Sequence, residues 1–282
     1  MFNYRNGFWL LVACILIYGF WSYSQSLPST PSTTESKVLL VTSGPGPYWE
    51  AVQAGAEAAA KELNVNVEVR MPKQRESLEG QMQILSTLTP SDWEGIAISP
   101  LDAEQQTRLI NQLARETKVL TFDSDAPLAN TLGYVGTSNY GAGKLAAELV
   151  HQALPEGGKI AVMMANNTKA NLLNRKNGFE ENIHRLLPGD TAGALGEYTI
   201  VDYLVDEGND ERAAELVRQV FQDHPDLACI VAMNAQHGPI LMRLREELDK
   251  LGEVALITFD HDEATLQGIS DGHIFATIAQ DP

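Results

Sequence analysis

Two closely similar acidic segments are the strongest chemical feature of the sequence. Residues 121–126 read TFDSDA and residues 258–264 read TFDHDEA, and each follows a short apolar run. Such runs predict buried strands, and ligands of parallel α/β sheets bind beyond the carboxyl ends of the strands. A single aspartate there often only caps a turn or a helix, but two in matching places favour a shared task. We therefore expect Asp123 and Asp260 to face one cleft from opposite walls.

The sequence lacks the partners that catalysis at these carboxylates would need. No acid–base partner lies near Asp123 in the sequence, and neither a G-x-S-x-G nor an H-E-x-x-H motif occurs. Residues 44–49 lack the third glycine of a dinucleotide loop, and residues 138–145 lack the first glycine and the hydroxyl residue of a phosphate loop. The Asp-His-Asp run at 260–262 is expected to be a polar loop rather than a metal site. We predict no metal, no cofactor and no enzyme activity.

The chemistry on offer suits a ligand with many hydroxyl groups. Carboxylates and amides bond pairs of adjacent hydroxyls, and an aromatic ring can cover the apolar C–H face of a sugar. Tyr48 and Trp49 follow the first apolar run, where they could form such a wall or simply pack the start of the first helix. A monosaccharide or a similar small polar molecule is the predicted ligand.

The elements that would position these residues alternate along the chain. Short apolar runs are separated by longer amphipathic stretches, a pattern that predicts an α/β fold with parallel sheets flanked by helices. Strands are predicted at 38–42, 65–70, 95–99, 119–122, 160–163, 197–202, 229–232 and 255–259, and helices at 48–62, 75–88, 102–115, 141–153, 170–187, 209–222 and 238–250. The repeated acidic segment predicts an N-terminal lobe at 37–137 and a C-terminal lobe at 138–282.

An apolar N-terminal segment predicts export from the cytoplasm. Residues 8–21 are apolar and follow a single positive charge, Arg5. As a helix they would span about 21 Å, short of a bilayer core of about 30 Å. This length favours a cleaved signal peptide at 1–24, while an uncleaved anchor or lipidation at Cys14 remain alternatives. Residues 25–36, rich in Ser, Thr and Pro, predict a flexible linker between the membrane and the folded body.

Charge and cysteine content narrow the class of partner. Acidic residues outnumber basic ones 37 to 20, which gives a net charge of -17. This charge repels phosphate backbones, so no nucleic-acid partner is expected. The two cysteines, Cys14 and Cys229, offer no disulfide framework because the first lies in the apolar N-terminal segment.

Seven short motifs, taken in order, resemble the ribose-binding type of periplasmic sugar-binding protein of ABC transporters. They are PYW at 47–49, TFDSDAP at 121–127, YVGTSNYGAGKLAAELV at 134–150, NRKNGF at 174–179, MNAQ at 233–236, ITFD at 257–260 and ATIAQDP at 276–282. Each motif alone is weak, but the series covers residues 37–282. The resemblance implies the type I periplasmic binding fold, in which two Rossmann-like lobes joined by a hinge close over one ligand.

The resemblance also implies which residues bind the ligand. The family's binding positions fall on Tyr48, Trp49, Asp123, Arg175, Asn234, Asp260 and, at the hinge, Gln280. Two positions depart from the ribose binders, since Gly46 stands in place of an asparagine and Ser124 in place of an arginine. Both changes remove groups that bond sugar hydroxyls, which argues against ribose itself.

The resemblance leaves several functions open. It favours a receptor that delivers its ligand to a membrane ABC permease, with a tethered sensor that reports to a membrane kinase or chemoreceptor as the alternative. An enzyme on the same scaffold is the least expected. A regulator of the lac-repressor type is excluded because an export segment occupies the place of its DNA-binding helices. The chain also stops near the hinge glutamine, so we expect lobe one to lack its last elements and to expose apolar surface and a sheet edge.

Overall fold

The structure is a computed structural model that describes residues 36–185 and 197–282. The predicted signal peptide or anchor at 1–24 lies outside the described residues, as does nearly all of the predicted linker at 25–36. No helix within the described ranges is both long and apolar enough to cross a bilayer.

The described residues form two five-stranded sheets. The strands are β1 (Lys37–Val41), β2 (Asn66–Arg70), β3 (Gly95–Ile98), β4 (Lys118–Phe122), β5 (Tyr134–Val135), β6 (Gly157–Met164), β7 (Glu197–Val205), β8 (Leu227–Ala232), β9 (Ala255–Phe259) and β10 (Ala276–Ile278). Their order is β2-β1-β3-β4-β5 in one sheet and β10-β9-β8-β6-β7 in the other. Every strand pair in this part of the chain is parallel. The predicted α/β fold class, with two parallel-sheet lobes flanked by helices, is confirmed.

Eight α-helices are described, and they cover the two sheets. They are α1 (Pro47–Leu63), α2 (Leu78–Ser86), α3 (Ala103–Leu113), α4 (Asn139–Ala153), α5 (Ala170–Ile183), α6 (Asp210–Asp223), α7 (His237–Arg245) and α8 (Glu263–Ser270). We call β1–β5 with α1–α3 lobe one, and β6–β10 with α4–α8 lobe two. The chain passes from lobe one to lobe two across residues 136–138, between β5 and α4.

The sheet of lobe two shows why its strands are continuous apolar runs. The last five residues of β6 are all fully buried, and they alternate between two core clusters. Val162 and Met164 pack on the face that α4 and α5 cover, while Ala161 and Met163 pack on the opposite face. A strand covered on both faces needs an apolar residue at every position, so its sequence loses the alternation of a half-exposed strand.

Several elements differ from the sequence-based expectation. The strands β5 and β10 and the helix α8 were not predicted, because two or three residues carry no periodicity and α8 follows directly on an acidic loop. Helix α2 starts at Leu78 rather than at residue 75, because the Ser77 hydroxyl caps it by accepting a hydrogen bond from the Gly80 backbone N–H. Helix α5 ends at Ile183 and α7 at Arg245, both earlier than predicted.

Two glycines allow α4 and α5 to cross at backbone contact. A Cβ on Gly143 would lie 1.9 Å from the carbonyl oxygen of Arg175, and a Cβ on Gly178 would lie 2.1 Å from that of Tyr140. No side chain fits at either position, so the two helices pack more closely than any other residue would allow. This close crossing fixes the part of α5 that carries Arg175.

The crossing gives the first testable prediction. Gly143→Ala is expected to lower the free energy of unfolding by about 2–3 kcal/mol, because the added methyl overlaps backbone that cannot rotate away. The matched control is Gly55→Ala on the exposed face of α1, where the nearest atom to an added Cβ is 3.8 Å away. That change should raise stability by about 0.5–1 kcal/mol through helix propensity. Urea denaturation of the two variants measures both effects, and equal midpoints would contradict the close crossing.

Candidate functional site

Asp123 directly follows β4 and lies where the two lobes meet. Its buried carboxylate accepts hydrogen bonds from the Tyr48 hydroxyl at 3.1 Å and the Ser99 hydroxyl at 2.8 Å, both in lobe one. From lobe two, the Asn171 side-chain amide donates to it at 3.2 Å, and the Lys169 Nζ lies 3.3 Å away. One carboxylate is therefore held by groups from both lobes.

The electrostatic surroundings keep this carboxylate ionised. Burial by itself would raise the pKa of Asp123, but the positive charges of Lys169 and Arg175 outweigh burial and hold the pKa below its ordinary value. The hydrogen bonds from Ser99 and Tyr48 act in the same direction. A permanently charged acceptor with several fixed donors is suited to orient hydroxyl groups.

Asp260 occupies the matching place in lobe two. It follows β9, it is buried, and its Oδ1 accepts a hydrogen bond from the Gln280 side-chain amide at 2.8 Å. Burial raises the pKa of Asp260 above its ordinary value, although Arg175 and the Gln280 bond oppose the rise. The pKa values of the two acids are thus shifted in opposite directions: that of Asp123 is lowered and that of Asp260 is raised.

The two acids share an unusual backbone geometry. Both lie in the left-handed region, with φ of 58° at Asp123 and 67° at Asp260. Each backbone N–H donates to the last residue of the next, very short strand: Asp123 to the Val135 carbonyl of β5, and Asp260 to the Ile278 carbonyl of β10. Left-handed non-glycine residues are costly and concentrate at functional sites. The sequence repeat therefore extends to the backbone of both loops.

Arg175 joins three elements at the centre of lobe two. Its guanidinium is buried, and it donates to the Asn139 side-chain oxygen at 2.8 Å, the Met233 carbonyl at 2.6 Å and the Gln280 side-chain oxygen at 2.6 Å. Its Cζ also lies 4.4 Å from the centre of the Phe259 ring. Because Gln280 in turn donates to Asp260, Arg175 orients that acid through Gln280.

The aromatic pair lies at the start of α1. Gly46 has φ of 135°, a conformation that favours glycine, and Pro47 begins the helix, so the next two residues project at its N-terminus. Trp49 is buried and meets Tyr48 edge to face with ring centres 4.9 Å apart, and Phe122 in the same way at 6.1 Å. Burial, followed by the charge of Asp123, raises the pKa of Tyr48 above its ordinary value, so the hydroxyl stays protonated and donates.

A cavity of about 820 Å³ opens between the lobes beside these groups. It lies between residues 45–51 and 75–76 of lobe one and residues 235–243 and 260–262 of lobe two. Tyr48, Trp49 and Asp260 are among the residues that line it. A cavity of this size falls in the range typical of small-molecule sites.

The seven sequence-predicted site residues fall into three groups. Tyr48, Trp49 and Asp260 line the cavity. Asp123 accepts a hydrogen bond from Tyr48 and Gln280 donates one to Asp260, whereas Arg175 reaches this first group only through Gln280. None of these three lines the cavity. Asn234 differs, because its side-chain oxygen accepts a hydrogen bond from the Ala165 backbone N–H inside lobe two. Its role here is to tie two strand ends together.

Sequence reasoning missed two residues of lobe two that reach Asp123. Lys169 and Asn171 both lie at the start of α5 and are both buried. The Asn171 side-chain oxygen has no hydrogen-bond partner, although it is fully enclosed. A local signal for Lys169 exists, since a lysine just ahead of a helix opposes the helix dipole. Residues that oppose a local preference of this kind occur at functional sites.

Metal binding finds no support in this part of the molecule. Among residues 36–185 and 197–282, no group of three His, Cys, Asp or Glu side chains is arranged to hold an ion. Asp262 of the Asp-His-Asp run instead caps α8, with its carboxylate accepting from the Thr265 backbone N–H at 3.1 Å.

Comparison with known proteins identifies the class. Residues 38–282 match the family model of the periplasmic binding protein domain, and the chain belongs to this family. The D-allose-binding periplasmic protein of Escherichia coli K12 is 22% identical over 263 residues, which are 89% of this chain and 80% of that protein. The predicted resemblance is thereby confirmed, and so is the prediction that the chain is a solute-binding protein rather than an enzyme.

Two solved structures extend the comparison. AraP, an arabinose-binding protein from Geobacillus stearothermophilus, is 31% identical with a TM-score of 0.68, over 87% of this chain and 82% of that one. XylFII, in a XylFII–LytSN complex, is 27% identical with a TM-score of 0.79, over 87% of each chain.

The different states of the two acids predict opposite effects of neutral replacements. At neutral pH, Asp260→Asn should stabilise the ligand-free protein, because it removes a buried charge that the fold disfavours. Asp123→Asn should destabilise it by about 3 kcal/mol, because Lys169 loses its partner and an amide N–H₂ faces other donors.

The pH dependence separates the two variants further. The pKa of Asp260 in the folded protein lies above its ordinary value of 3.8, so the unchanged protein loses stability as the pH rises past that value. Asp260→Asn does not titrate, so its advantage grows with pH. A lowered folded pKa gives stability that is lost as pH falls, so the deficit of Asp123→Asn shrinks on acidification. Urea midpoints over a pH series measure both trends, and parallel curves for the two variants would refute the opposite pKa shifts.

Proposed function

We propose that the chain is an extracytoplasmic receptor that holds a monosaccharide between its two lobes and delivers it to an ABC importer. The observation that carries this proposal is the pair of strand-end aspartates, one from each lobe: Asp260 lines the cavity, and Asp123 accepts a hydrogen bond from the cavity-lining Tyr48. A ligand bonded by both acids would contact both lobes and would favour their closed arrangement.

The chemistry of the cleft supports a neutral, hydroxyl-rich ligand. Asp123 and Asp260 are hydrogen-bond acceptors, the enclosed Asn171 side-chain oxygen lacks a donor, and Trp49 lines the cavity. The cations Lys169 and Arg175 lie among the carboxylates of Asp123, Asp260 and Glu76, so the site has no excess positive charge for an anionic ligand. AraP binds arabinose and the E. coli relative binds D-allose, which supports a pentose or hexose as the ligand of this chain.

A binding screen tests the proposal through tryptophan fluorescence. D-allose, D-ribose, both arabinose enantiomers, D-xylose, D-glucose and D-galactose form the panel. We expect one of them to change the emission and, at a hundred times its dissociation constant, to stabilise the protein by about 2.7 kcal/mol. Trp49→Phe should remove the fluorescence change and weaken binding about tenfold. Trp93→Phe, which alters a ring stacked under Arg70 and away from the cavity, should preserve both. No response to any sugar would contradict the proposal.

A sensory role is the second candidate. XylFII has been solved in complex with LytSN, so a protein of this fold forms an assembly with another protein. The two roles separate in a deletion strain of the host. If uptake of labelled sugar is lost, transport is supported. If uptake persists while transcription no longer responds to the sugar, sensing is supported.

Export and tethering remain part of the proposal. The apolar segment at 8–21 is expected to carry the chain across the membrane, and the Ser/Thr/Pro-rich segment at 25–36 to separate it from the folded lobes. N-terminal sequencing of the exported protein distinguishes cleavage after residue 24 from an uncleaved anchor.

A further inference from the structure

Lys169 reaches across the cleft into lobe one. Its Nζ lies 3.3 Å from the Asp123 carboxylate, 3.8 Å from the Glu76 carboxylate and 5.2 Å from the centre of the Trp49 ring. All three groups belong to lobe one, whereas Lys169 starts α5 of lobe two. Two carboxylates and an aromatic face form the usual surroundings of a bound ammonium group.

Lys169 is buried at this place, but its contacts with the two carboxylates are long. Only 4% of its side chain is exposed, so the ammonium has lost nearly all its water. Its distances to both carboxylates exceed the 2.7–2.9 Å typical of a charge-assisted hydrogen bond. A buried ion pair with long contacts returns only part of its desolvation cost, so other hydroxyl or amine groups can compete for the same carboxylates.

Neighbouring contacts close the lobes on the same side. Glu76, which has φ of 53°, also accepts a hydrogen bond from the Asn166 side chain of lobe two. Next to it, the Arg75 guanidinium donates to the Asp210 carboxylate at 2.7 Å. These two contacts also join the lobes, through a loop of lobe one that precedes α2.

We propose that Lys169 is a tethered occupant of the lobe-one half of the cleft: it holds the lobes together in the absence of ligand and leaves when the ligand binds. Two of its three partners, Asp123 and Trp49, are the groups that would bond the hydroxyls and cover the C–H face of a sugar. A sugar ring that contacts Asp123 and Trp49 at the same time needs the space that the Lys169 ammonium occupies. The second half of this inference rests on the proposed function, whereas the first half does not.

The inference predicts how loss of the charge acts on the free protein. Nitroxide labels at Glu62→Cys in lobe one and Gln222→Cys in lobe two, both exposed positions, report the distance between the lobes in the exported protein. Lys169→Met keeps the apolar stem and removes the charge, so without ligand the distance distribution should move to longer values. Lys176→Met, which removes an exposed ion pair on the same helix, is the control and should leave it unchanged. Lys169→Gln serves as a second variant if Lys169→Met does not fold.

The inference also predicts the direction of the change in affinity. If the ligand must displace the lysine, Lys169→Met destabilises only the free state, and affinity for the sugar should rise about tenfold. An unchanged interlobe distance would show that Lys169 does not hold the lobes together. A weaker affinity would show that the ligand does not displace Lys169 but contacts it directly. Because the distance measurement uses no sugar, failure of the sugar screen leaves it as a separate test.

Discussion

The structure depends on one buried carboxylate that both lobes share. Asp123 is bonded by Tyr48 and Ser99 from its own lobe, and it is approached by Lys169 and Asn171 from the other. Burying an unpaired charge costs several kcal/mol, so the carboxylate can be enclosed only when cations and donors surround it. In a cleft, these can come from the facing lobe or from a ligand. The need to balance this charge thus links the two lobes and, in the proposed receptor, would also favour a ligand that donates hydrogen bonds.

The two lobes bury their aspartates in the same local structure but in different electrostatic surroundings. Each acid takes a left-handed conformation at a strand end and is fixed by a bond to a two- or three-residue strand. The cation nearest to Asp123 comes from the opposite lobe, whereas Arg175 is fixed within lobe two by bonds to Asn139 and Met233. The charge of Asp260 is therefore balanced within its own lobe, while that of Asp123 is balanced across the cleft.

Much of this architecture follows from the sequence, and the exceptions have physical causes. Buried parallel strands produce continuous apolar runs, and the duplicated TFDxD segment placed both acids correctly at strand ends. The short strands β5 and β10 were missed because two or three residues are too few to show a periodicity. Because the second helix was predicted to begin at residue 75, the loop that carries Glu76 was not recognised. Lys169 was not recognised because its partners lie in the other lobe, and only the fold brings them together.

The glycine crossing of α4 and α5 has a consequence for how the molecule moves. With backbone against backbone at Gly143 and Gly178, neither helix can slide or roll past the other without a clash, so this part of lobe two resists deformation. A relative motion of the lobes would then be taken up where the chain passes between them, at residues 136–138. In the proposed receptor, this stiff pair of helices on a short connection would convert a small shift at the cleft into a larger displacement at the far end of lobe two.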